Sequence, residues 1–402
     1  MARKTRKAVA AKRGRAKPEI VVVGAGAFGG WTALHLLRLG ARVTLVDAYG
    51  AGDSRAASSG ETRVIRASYG LKPIYAEWTK EALVRWQQFE RECGTTLFVN
   101  SGALWMFEQE DDYARASLAT LRRLRIPFEQ LSRAAITRRF PQFSTNGVGF
   151  AWFEPQAGFL FARNATLAVT AAVARAGGRV VTGAVEAPTA ASRLRALRLS
   201  NGDSIEAERF VFACGAWLPG LFPTLLARRI LVTRQEIFFF GPPPGDARFT
   251  APTMPVWLDP ARNYYGIPAG YGRGLKVADD TSGPPFDPST GERAPSAEAL
   301  QAARSYVAQR IPGMAGAPLV DSRVCQYART PDAHLVIDRH PTCENVWIAG
   351  GGSGHGFKLG PALGEFVARH VFGKAAPPIL PQMRIWASQW PEGTERPGTR
   401  SI

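Results

Sequence analysis

Three glycines and one carboxylate near the N-terminus have the spacing of a nucleotide-binding loop. Gly24, Gly26 and Gly29 form the pattern G-x-G-x-x-G directly after the apolar run 19–23, which is short and β-branched like a buried parallel strand. The first glycine allows a tight turn, the second lets the backbone approach a pyrophosphate, and the third allows close helix–strand packing. Asp47 follows Gly29 by 18 residues, where a carboxylate can accept hydrogen bonds from a ribose hydroxyl. The sequence therefore predicts a dinucleotide site, and NAD and FAD share this fingerprint.

The elements around this loop form a βαβ unit in the predicted fold. A buried helix is predicted from Phe28 to Leu39, with Gly40 at its C-terminal end. A second strand is predicted from Arg42 to Val46, so the hydrophobic period changes from extended to helical and back.

Further elements are predicted from the same patterns. Asn201-Gly202 indicates a hairpin turn in which both residues have positive φ, and the block 230–280 indicates an antiparallel sheet. Asn164 is predicted to cap a helix that ends at Ala176. The other predicted helices are 74–93, 113–124 and 361–371, and the other predicted strands are 104–107, 210–213 and 346–351.

Composition excludes several classes of protein. A chain of 402 residues with 46% apolar and 21% charged residues is globular, and its length indicates two or three packed units. The four cysteines are far apart and form no C-x-x-C pair, so neither a disulfide framework nor a metal site is predicted. No run of 18 apolar residues and no apolar signal core occurs, so we expect a cytoplasmic protein without a membrane partner.

The net charge of +17 is concentrated at one end of the chain. Residues 1–18 hold eight Lys or Arg and no acid, and 17 minus 8 leaves +9 on the other 384 residues. We predict a disordered basic tail at 1–18 and a frayed polar tail at 386–402. A nucleic-acid partner would be supported only by this charge, and it would leave the glycine motif unexplained, so none is expected.

Motifs further along the chain distinguish FAD from NAD. They are SSGETRVIRASYG at 58–70, FEPQAGFLF at 153–161, ACGAW at 213–217, YYGIP and GLK within 264–276, VCQYARTPDAHLVID at 324–338 and AGGGSGHGFK at 349–358. In this order and spacing the chain resembles the FAD-dependent amine oxidases of the monomeric sarcosine oxidase and N-methyltryptophan oxidase family, within the D-amino acid oxidase superfamily. The resemblance spans about Glu19 to Ile385.

The resemblance implies how the cofactor is held. Cys325 matches the cysteine that forms a thioether with a ring methyl of the flavin, so FAD would be covalent, although taken alone this residue would be a small core hydrophobe. Thr62 and the loop residues Gly354, His355 and Gly356 would also contact the cofactor.

The resemblance also implies roles around the flavin ring. Lys276 matches a lysine that assists oxygen reduction, and its alternative is an exposed strand lysine. Arg66 and Lys358 match a pair that binds the substrate carboxylate. Arg63 matches an arginine beside the flavin, and it would share a helix face with Arg66 if that segment were helical; surface ion pairs are the alternative.

Four further positions concern the substrate pocket. Tyr265 and Tyr327 match aromatic residues that line it, and a simple core role is their alternative. Ser59 and Asp280 stand where relatives with sarcosine-like substrates carry histidines. Since Asp280 would add an anion and Ser59 would remove bulk, we expect a larger or doubly cationic N-substituted amino acid.

The implied function is that of an oxidase. It would convert an N-substituted amino acid to an imine, which hydrolyses, with oxygen reduced to hydrogen peroxide and without a catalytic base. The alternatives are an oxidase of primary or cyclic amino acids and a flavin dehydrogenase that passes electrons to a carrier. The expected partners are an amino-acid substrate and oxygen, and we expect a monomer.

The resemblance implies a fold of the α/β class with two interleaved domains. A Rossmann-type, doubly wound FAD-binding domain would comprise 19–98, 152–228 and 322–385. An α+β catalytic domain with a mixed, largely antiparallel sheet would comprise 99–151 and 229–321.

Overall fold

The structure is a computed structural model that describes residues 17–189 and 191–391. The strands are β1 Glu19–Val23, β2 Arg42–Asp47, β3 Thr62–Ile65, β4 Phe98–Val99, β5 Ala103–Phe107, β6 Glu129–Gln130, β7 Phe150–Glu154, β8 Gly158–Phe161, β9 Arg179–Thr182, β10 Ala196–Arg198, β11 Ser204–Glu206, β12 Arg209–Phe212, β13 Leu231–Phe240, β14 Val256–Asp259, β15 Tyr264–Ile267, β16 Leu275–Asp279, β17 Leu319–Arg329, β18 Val336–Arg339 and β19 Val346–Gly350. The α-helices are α1 Ala27–Arg38, α2 Pro73–Cys93, α3 Asp112–Leu124, α4 Arg133–Arg139, α5 Ala162–Arg175, α6 Leu218–Leu221, α7 Pro223–Leu226, α8 Ala297–Arg310 and α9 Gly360–Phe372.

The first sheet is mostly parallel and contains the glycine loop. Its strand order is β18-β19-β12-β1-β2-β9, with only the β18–β19 pair antiparallel. Helix α1 packs against α5 and α9, which covers the sheet with the apolar side chains that the sequence predicted. This arrangement is the predicted Rossmann-type unit, and it brings the carboxyl ends of β1, β2 and β12 to one edge.

The second sheet is largely antiparallel, as predicted. Its order is β17-β13-β16-β15-β14-β5-β7-β6, and only the β14–β5 pair is parallel. The long strands β13 and β17 pair over their whole length, with Gln235 opposite Cys325 and Thr233 opposite Tyr327. The division into domains stays a prediction, and β17 crosses the boundary predicted at 321/322.

Some local predictions are wrong, and each has a physical reason. Residues 62–65 form a strand that pairs with β8, so Arg63 and Arg66 do not share a helix face. Helix α5 begins at Ala162 without a side-chain cap, and Asn164 lies inside it. In the turn between β10 and β11 only Gly202 has a positive φ, at +90°.

The two predicted tails have different outcomes. The N-terminal tail lies outside the described residues except for 17 and 18, and so do residues 392–402. Residues 386–391 are not frayed, because the Trp390 N–H donates to the Arg228 carbonyl (2.7 Å) and the Ser388 hydroxyl donates to Asp332 (2.7 Å). No helix in the described part of the chain is long and apolar enough to cross a membrane.

Candidate active site

A cavity of about 380 Å³ opens where the strands of the parallel sheet end. Its wall includes the glycine loop, Asp47 at the end of β2, and Cys325 on β17 of the other sheet. Ligands of doubly wound folds bind at the carboxyl ends of the strands. The structure therefore places the N-terminal glycine motif and the motif that contains Cys325 on the wall of one cavity.

The glycine loop is a cradle that side chains would fill. Gly24 has φ +102°, and a Cβ on Gly29 would lie 1.8 Å from the Gly24 carbonyl oxygen. A Cβ on Gly26 would lie 2.9 Å from the Ser58 hydroxyl oxygen. The same hydroxyl accepts a hydrogen bond from the Ala27 N–H (3.0 Å) at the start of α1. Backbone amides at this helix N-terminus suit a pyrophosphate.

Asp47 is held in place by backbone N–H groups of the glycine loop and of the segment after β2. Its Oδ2 accepts from the Ala25 N–H (2.7 Å) and its Oδ1 from the Tyr49 N–H (3.0 Å). Burial raises the pKa of this carboxyl, although these hydrogen bonds oppose the rise. Asp47 lies on the cavity wall at the end of β2, where a carboxylate can accept hydrogen bonds from ribose hydroxyl groups. Cradle, helix amides and carboxylate together fit a dinucleotide such as FAD.

The loop after β19 closes the opposite side of the cavity. Gly354 has φ +80°, and a Cβ there would lie 2.8 Å from the Tyr327 ring. A Cβ on Gly356 would lie 2.6 Å from the Phe28 ring. His355 is buried, and its Nε2 lies 2.9 Å from the Ala333 carbonyl oxygen. Burial holds the pKa of His355 well below its usual range, so its ring is neutral.

Cys325 joins the large cavity to a smaller one of about 60 Å³. Its side chain lines both, together with Arg63, Tyr327 and Gly354. The Arg63 guanidinium lies 3.7 Å from the Cys325 sulfur and also donates to the Gly60 (3.1 Å) and Thr62 (2.8 Å) carbonyls. Arg63 is therefore fixed at the junction, where it adds positive charge.

The smaller cavity contains most of the predicted substrate residues. Arg66, Lys358, Tyr265, Tyr327 and Asp280 all line it, although five separate stretches of chain supply them. Ser59, Thr62 and Lys276 line neither cavity. Ser59 is buried, and its hydroxyl has no hydrogen-bond partner among the described residues.

Lys358 and Arg66 form a buried cationic wall. Lys358 Nζ donates to the Tyr69 hydroxyl (2.9 Å) and to the His355 carbonyl (3.0 Å). The Arg66 guanidinium lies 4.2 Å from the centre of the Tyr69 ring and donates to the Ser68 carbonyl. Burial holds the pKa of Lys358 well below its usual range, and Arg66 adds to this effect. An anionic ligand would reverse that shift by favouring the charged ammonium.

Lys276 is buried directly behind the cavity junction, so the alternative of an exposed strand lysine is wrong. Only 2% of the residue is exposed, and its Nζ donates to the Thr62 carbonyl (3.0 Å). The ammonium lies 5.5 Å from the centre of the Tyr265 ring. Burial lowers its pKa well below the usual range, and nearby Arg63 lowers it further.

Asp280 is the carboxylate of the smaller cavity. Its Oδ1 accepts from the Tyr327 hydroxyl (3.4 Å), and Tyr265 lines the same cavity. Burial raises the pKa of Asp280 to about 7, although Arg329 and Arg66 oppose the rise. The carboxyl can therefore gain and lose a proton near neutral pH.

Sequence reasoning missed two residues of this site. Arg329 is buried and interacts with Asp280. It could have been found from the sequence, because Cys325, Tyr327 and Arg329 are spaced two residues apart and so lie on one face of a strand. Glu154 is buried under Arg66 and accepts from the Ala67 N–H (2.7 Å), the Ser68 hydroxyl (2.6 Å) and Trp105 Nε1 (2.8 Å). No local pattern marks Glu154, because its partners come from distant segments. Residues that could hold a metal ion do not cluster anywhere in the described ranges.

Comparison with known proteins agrees with this geometry. Residues 19–370 match the family model described as FAD dependent oxidoreductase. Monomeric sarcosine oxidase of Streptomyces avermitilis is 30% identical over 371 residues, which cover 90% of this chain and 95% of that protein. Human peroxisomal sarcosine oxidase is 29% identical over 357 residues, which cover 87% of this chain and 90% of that protein. The crystal structure of L-proline dehydrogenase from P. horikoshii has a TM-score of 0.80 at 21% identity and covers 92% of this chain and 97% of that chain, a similarity of fold.

Proposed function

Because the chain belongs to the family of FAD-dependent oxidoreductases, we propose that it is an oxidase of N-methyl or N-alkyl amino acids. The reaction oxidises the C–N bond to an imine, which water hydrolyses to an amine and a carbonyl compound. Relatives named sarcosine oxidase, at 29–30% identity over most of the chain, support a secondary amino acid as the substrate.

One observation supports this reaction most directly. A small cavity with two buried cations opens beside the sulfur of Cys325, at the edge of the cavity that fits a dinucleotide. An amino acid whose carboxylate pairs with Arg66 and Lys358 would be confined within this space. The pair would select an amino acid over a plain amine of the same size.

Charge in the small cavity also acts on the substrate nitrogen. Arg63, Arg66 and Lys358 line it, and Arg329 interacts with its one carboxylate. Positive charge destabilises an ammonium group and so lowers the pKa of the substrate amine. This favours the neutral amine, whose lone pair is needed for oxidation.

FAD supplies two-electron oxidation of the substrate and returns the electrons to oxygen as hydrogen peroxide. Within the chain, we assign Lys276 to the oxygen step. Burial lowers its pKa, and a developing oxygen anion would favour its ammonium form and be stabilised by it. Cys325 is the proposed attachment point of the flavin, through its sulfur. Gly354, His355 and Gly356, which line the two cavities, are proposed to contact the cofactor. Thr62 lines neither cavity, and its contact with the cofactor stays a prediction.

The test is to purify the protein and screen N-methyl, N-alkyl, cyclic and primary amino acids with an assay for peroxide. We expect one peroxide for each N-substituted amino acid consumed. Turnover only with an artificial electron acceptor would identify a dehydrogenase instead, and a preference for primary or cyclic amino acids would favour the other alternative.

The same preparation tests the linkage of the cofactor. After precipitation with acid, the yellow colour should stay with wild-type protein and be released from Cys325→Ser. Release from wild type would contradict the assignment of Cys325. We also propose a cytoplasmic monomer, for which size-exclusion chromatography at several concentrations tests the oligomeric state.

The identity of the substrate side chain stays a prediction. A doubly cationic substrate was expected because Asp280 adds an anion to the pocket. The interaction with Arg329 weighs against that choice, since the carboxylate already has a cationic neighbour. We therefore retain the proposal of a larger N-substituted amino acid, without a second positive charge.

A further inference from the structure

The proposed oxidation raises the question of where one proton goes. An N-substituted amino acid in neutral solution is an ammonium ion, whereas the C–N bond is oxidised from the neutral amine. The positive wall of the small cavity lowers the pKa of the amine but does not itself accept the proton. This question rests on the proposed function, and it is answered by the groups that line the cavity.

Most of the titratable groups that line the cavity cannot accept a proton near neutral pH. Arg63 and Arg66 are donors. Lys358 is assigned to the substrate carboxylate, whose negative charge favours the ammonium form over the neutral amine. The phenol groups of Tyr265 and Tyr327 have pKa values raised by burial, that of Tyr265 to about 12. His355 is a weak base, because burial and the Lys358 ammonium lower its pKa well below the usual range.

With Cys325 assigned to the link with the flavin, Asp280 is the remaining titratable group of the cavity wall within the described residues. It is held in place by its own backbone, since the Asp280 N–H donates to the Asn263 carbonyl (2.6 Å). Its side chain is held by the Tyr327 hydroxyl at Oδ1 (3.4 Å). The carboxylate is thus fixed in the cavity that we assign to the substrate, beside the two aromatic rings.

The charged groups around Asp280 come from every element packed against it. Arg329 and Tyr327 face it from β17, Arg66 from the segment after β3, Tyr265 from β15, Lys358 from the turn before α9, and Asp279 precedes it in the chain. Burial raises the pKa of Asp280 to about 7 against the pull of the two arginines. A base that titrates near the working pH is the most effective one.

In place of the reaction without a catalytic base that the resemblance implied, we propose that Asp280 is the general base that takes the ammonium proton of the bound substrate. In this step the N–H bond breaks, its electron pair stays on nitrogen, and an O–H bond forms on the Asp280 carboxylate. No oxidant is needed for the transfer itself. After the product leaves, the carboxyl group releases the proton to water.

The test compares Asp280→Asn with Asp279→Asn in the holoenzyme. Asp279 is the adjacent residue and is exposed, so its variant controls for the loss of one negative charge. The measurement is the rate of flavin reduction by substrate in anaerobic rapid mixing, as a function of pH and substrate concentration. Oxygen is absent, so the oxygen step does not contribute.

For wild type, the second-order rate constant should rise with pH to a plateau above about pH 7, because Asp280 must be ionised to act as a base. Asp279→Asn should keep this plateau and reach it at a somewhat lower pH, because the Asp279 carboxylate raises the pKa of Asp280. For Asp280→Asn we expect a loss of about 10²-fold at pH 7 in the limiting rate. That loss should shrink toward high pH, where the substrate itself loses its proton. Asp280→Glu should recover part of the rate.

Two results would overturn the proposal. One is an Asp280→Asn variant with the wild-type pH profile, and the other is a variant in which only the substrate dissociation constant changes, which would indicate a binding role. Failure of the proposed function gives a different result, since wild-type protein would then show no flavin reduction with any N-substituted amino acid at any pH, and the base assignment would fall with it.

Discussion

Replacing Lys358 by Met should remove much of the selectivity for a carboxylate while retaining the shape of the pocket. Two of the three N–H bonds of the ammonium are used by Tyr69 (2.9 Å) and the His355 carbonyl (3.0 Å), which leaves one for a ligand. A hydrogen bond between charged groups contributes about 1.5–3 kcal/mol, which corresponds to about 10- to 150-fold in binding. We therefore expect KM for an N-substituted amino acid to rise by roughly this factor, with a smaller change in kcat.

The assay compares the amino acid with an N-alkyl amine that has the same substituents but no carboxylate. In wild type the acid should be strongly preferred, and in Lys358→Met the preference should fall by the same factor as KM rises. Lys80→Met is a matched control, because Lys80 lies on the exposed surface of α2. An equal loss of activity toward acid and amine would refute the reasoning, because it would show that Lys358 only supports the fold.

Three other changes test separate parts of the structure. Gly29→Ala should destabilise the protein by ~3 kcal/mol in thermal unfolding, since its Cβ would lie 1.8 Å from the Gly24 carbonyl oxygen. An unchanged midpoint would show that the loop can move to accept the methyl group. Lys276→Met should slow reoxidation of reduced enzyme by oxygen by about 10²-fold and leave anaerobic reduction near the wild-type rate; an unchanged oxygen rate would remove Lys276 from that step. Burial lowers the pKa of His35 from 6.5 to about 4, so stability should fall as pH falls from 6.5 to 4, by up to ~3 kcal/mol, and urea unfolding of His35→Gln should lack this part of the pH dependence.

The βαβ unit was predictable because its signals are local. The apolar run before Gly24 and the helical period after Gly26 identify their elements to within about a residue, and Gly40 marks the end of α1. The prediction that Asn164 caps α5 was wrong, because the position of the preceding strand decides where this helix begins. Capping propensity is weak, and here α5 continues directly from β8, so the chain enters the helix at Ala162 before any capping side chain is reached.

The candidate site was predictable only where a motif names its residues. Tyr265 and Asp280 come together through the pairing of β15 with β16. Arg66, after β3, and Lys358, before α9, reach the same cavity from segments outside that sheet. Glu154 shows the limit of such reasoning. Its partners are a backbone segment and a tryptophan on another strand, so its role depends on tertiary packing alone.

Strand β17 accounts for the joining of the two cavities. Side chains two residues apart project to the same face of a strand, so Cys325, Tyr327 and Arg329 follow one another along a single line. Cys325 and Tyr327 line both cavities, and Arg329 interacts with Asp280 in the small one. A shift of one residue in the pairing of β17 with β13 would turn all three side chains away. The pairing of these two long strands therefore sets both the attachment point proposed for the cofactor and the charge around the proposed base.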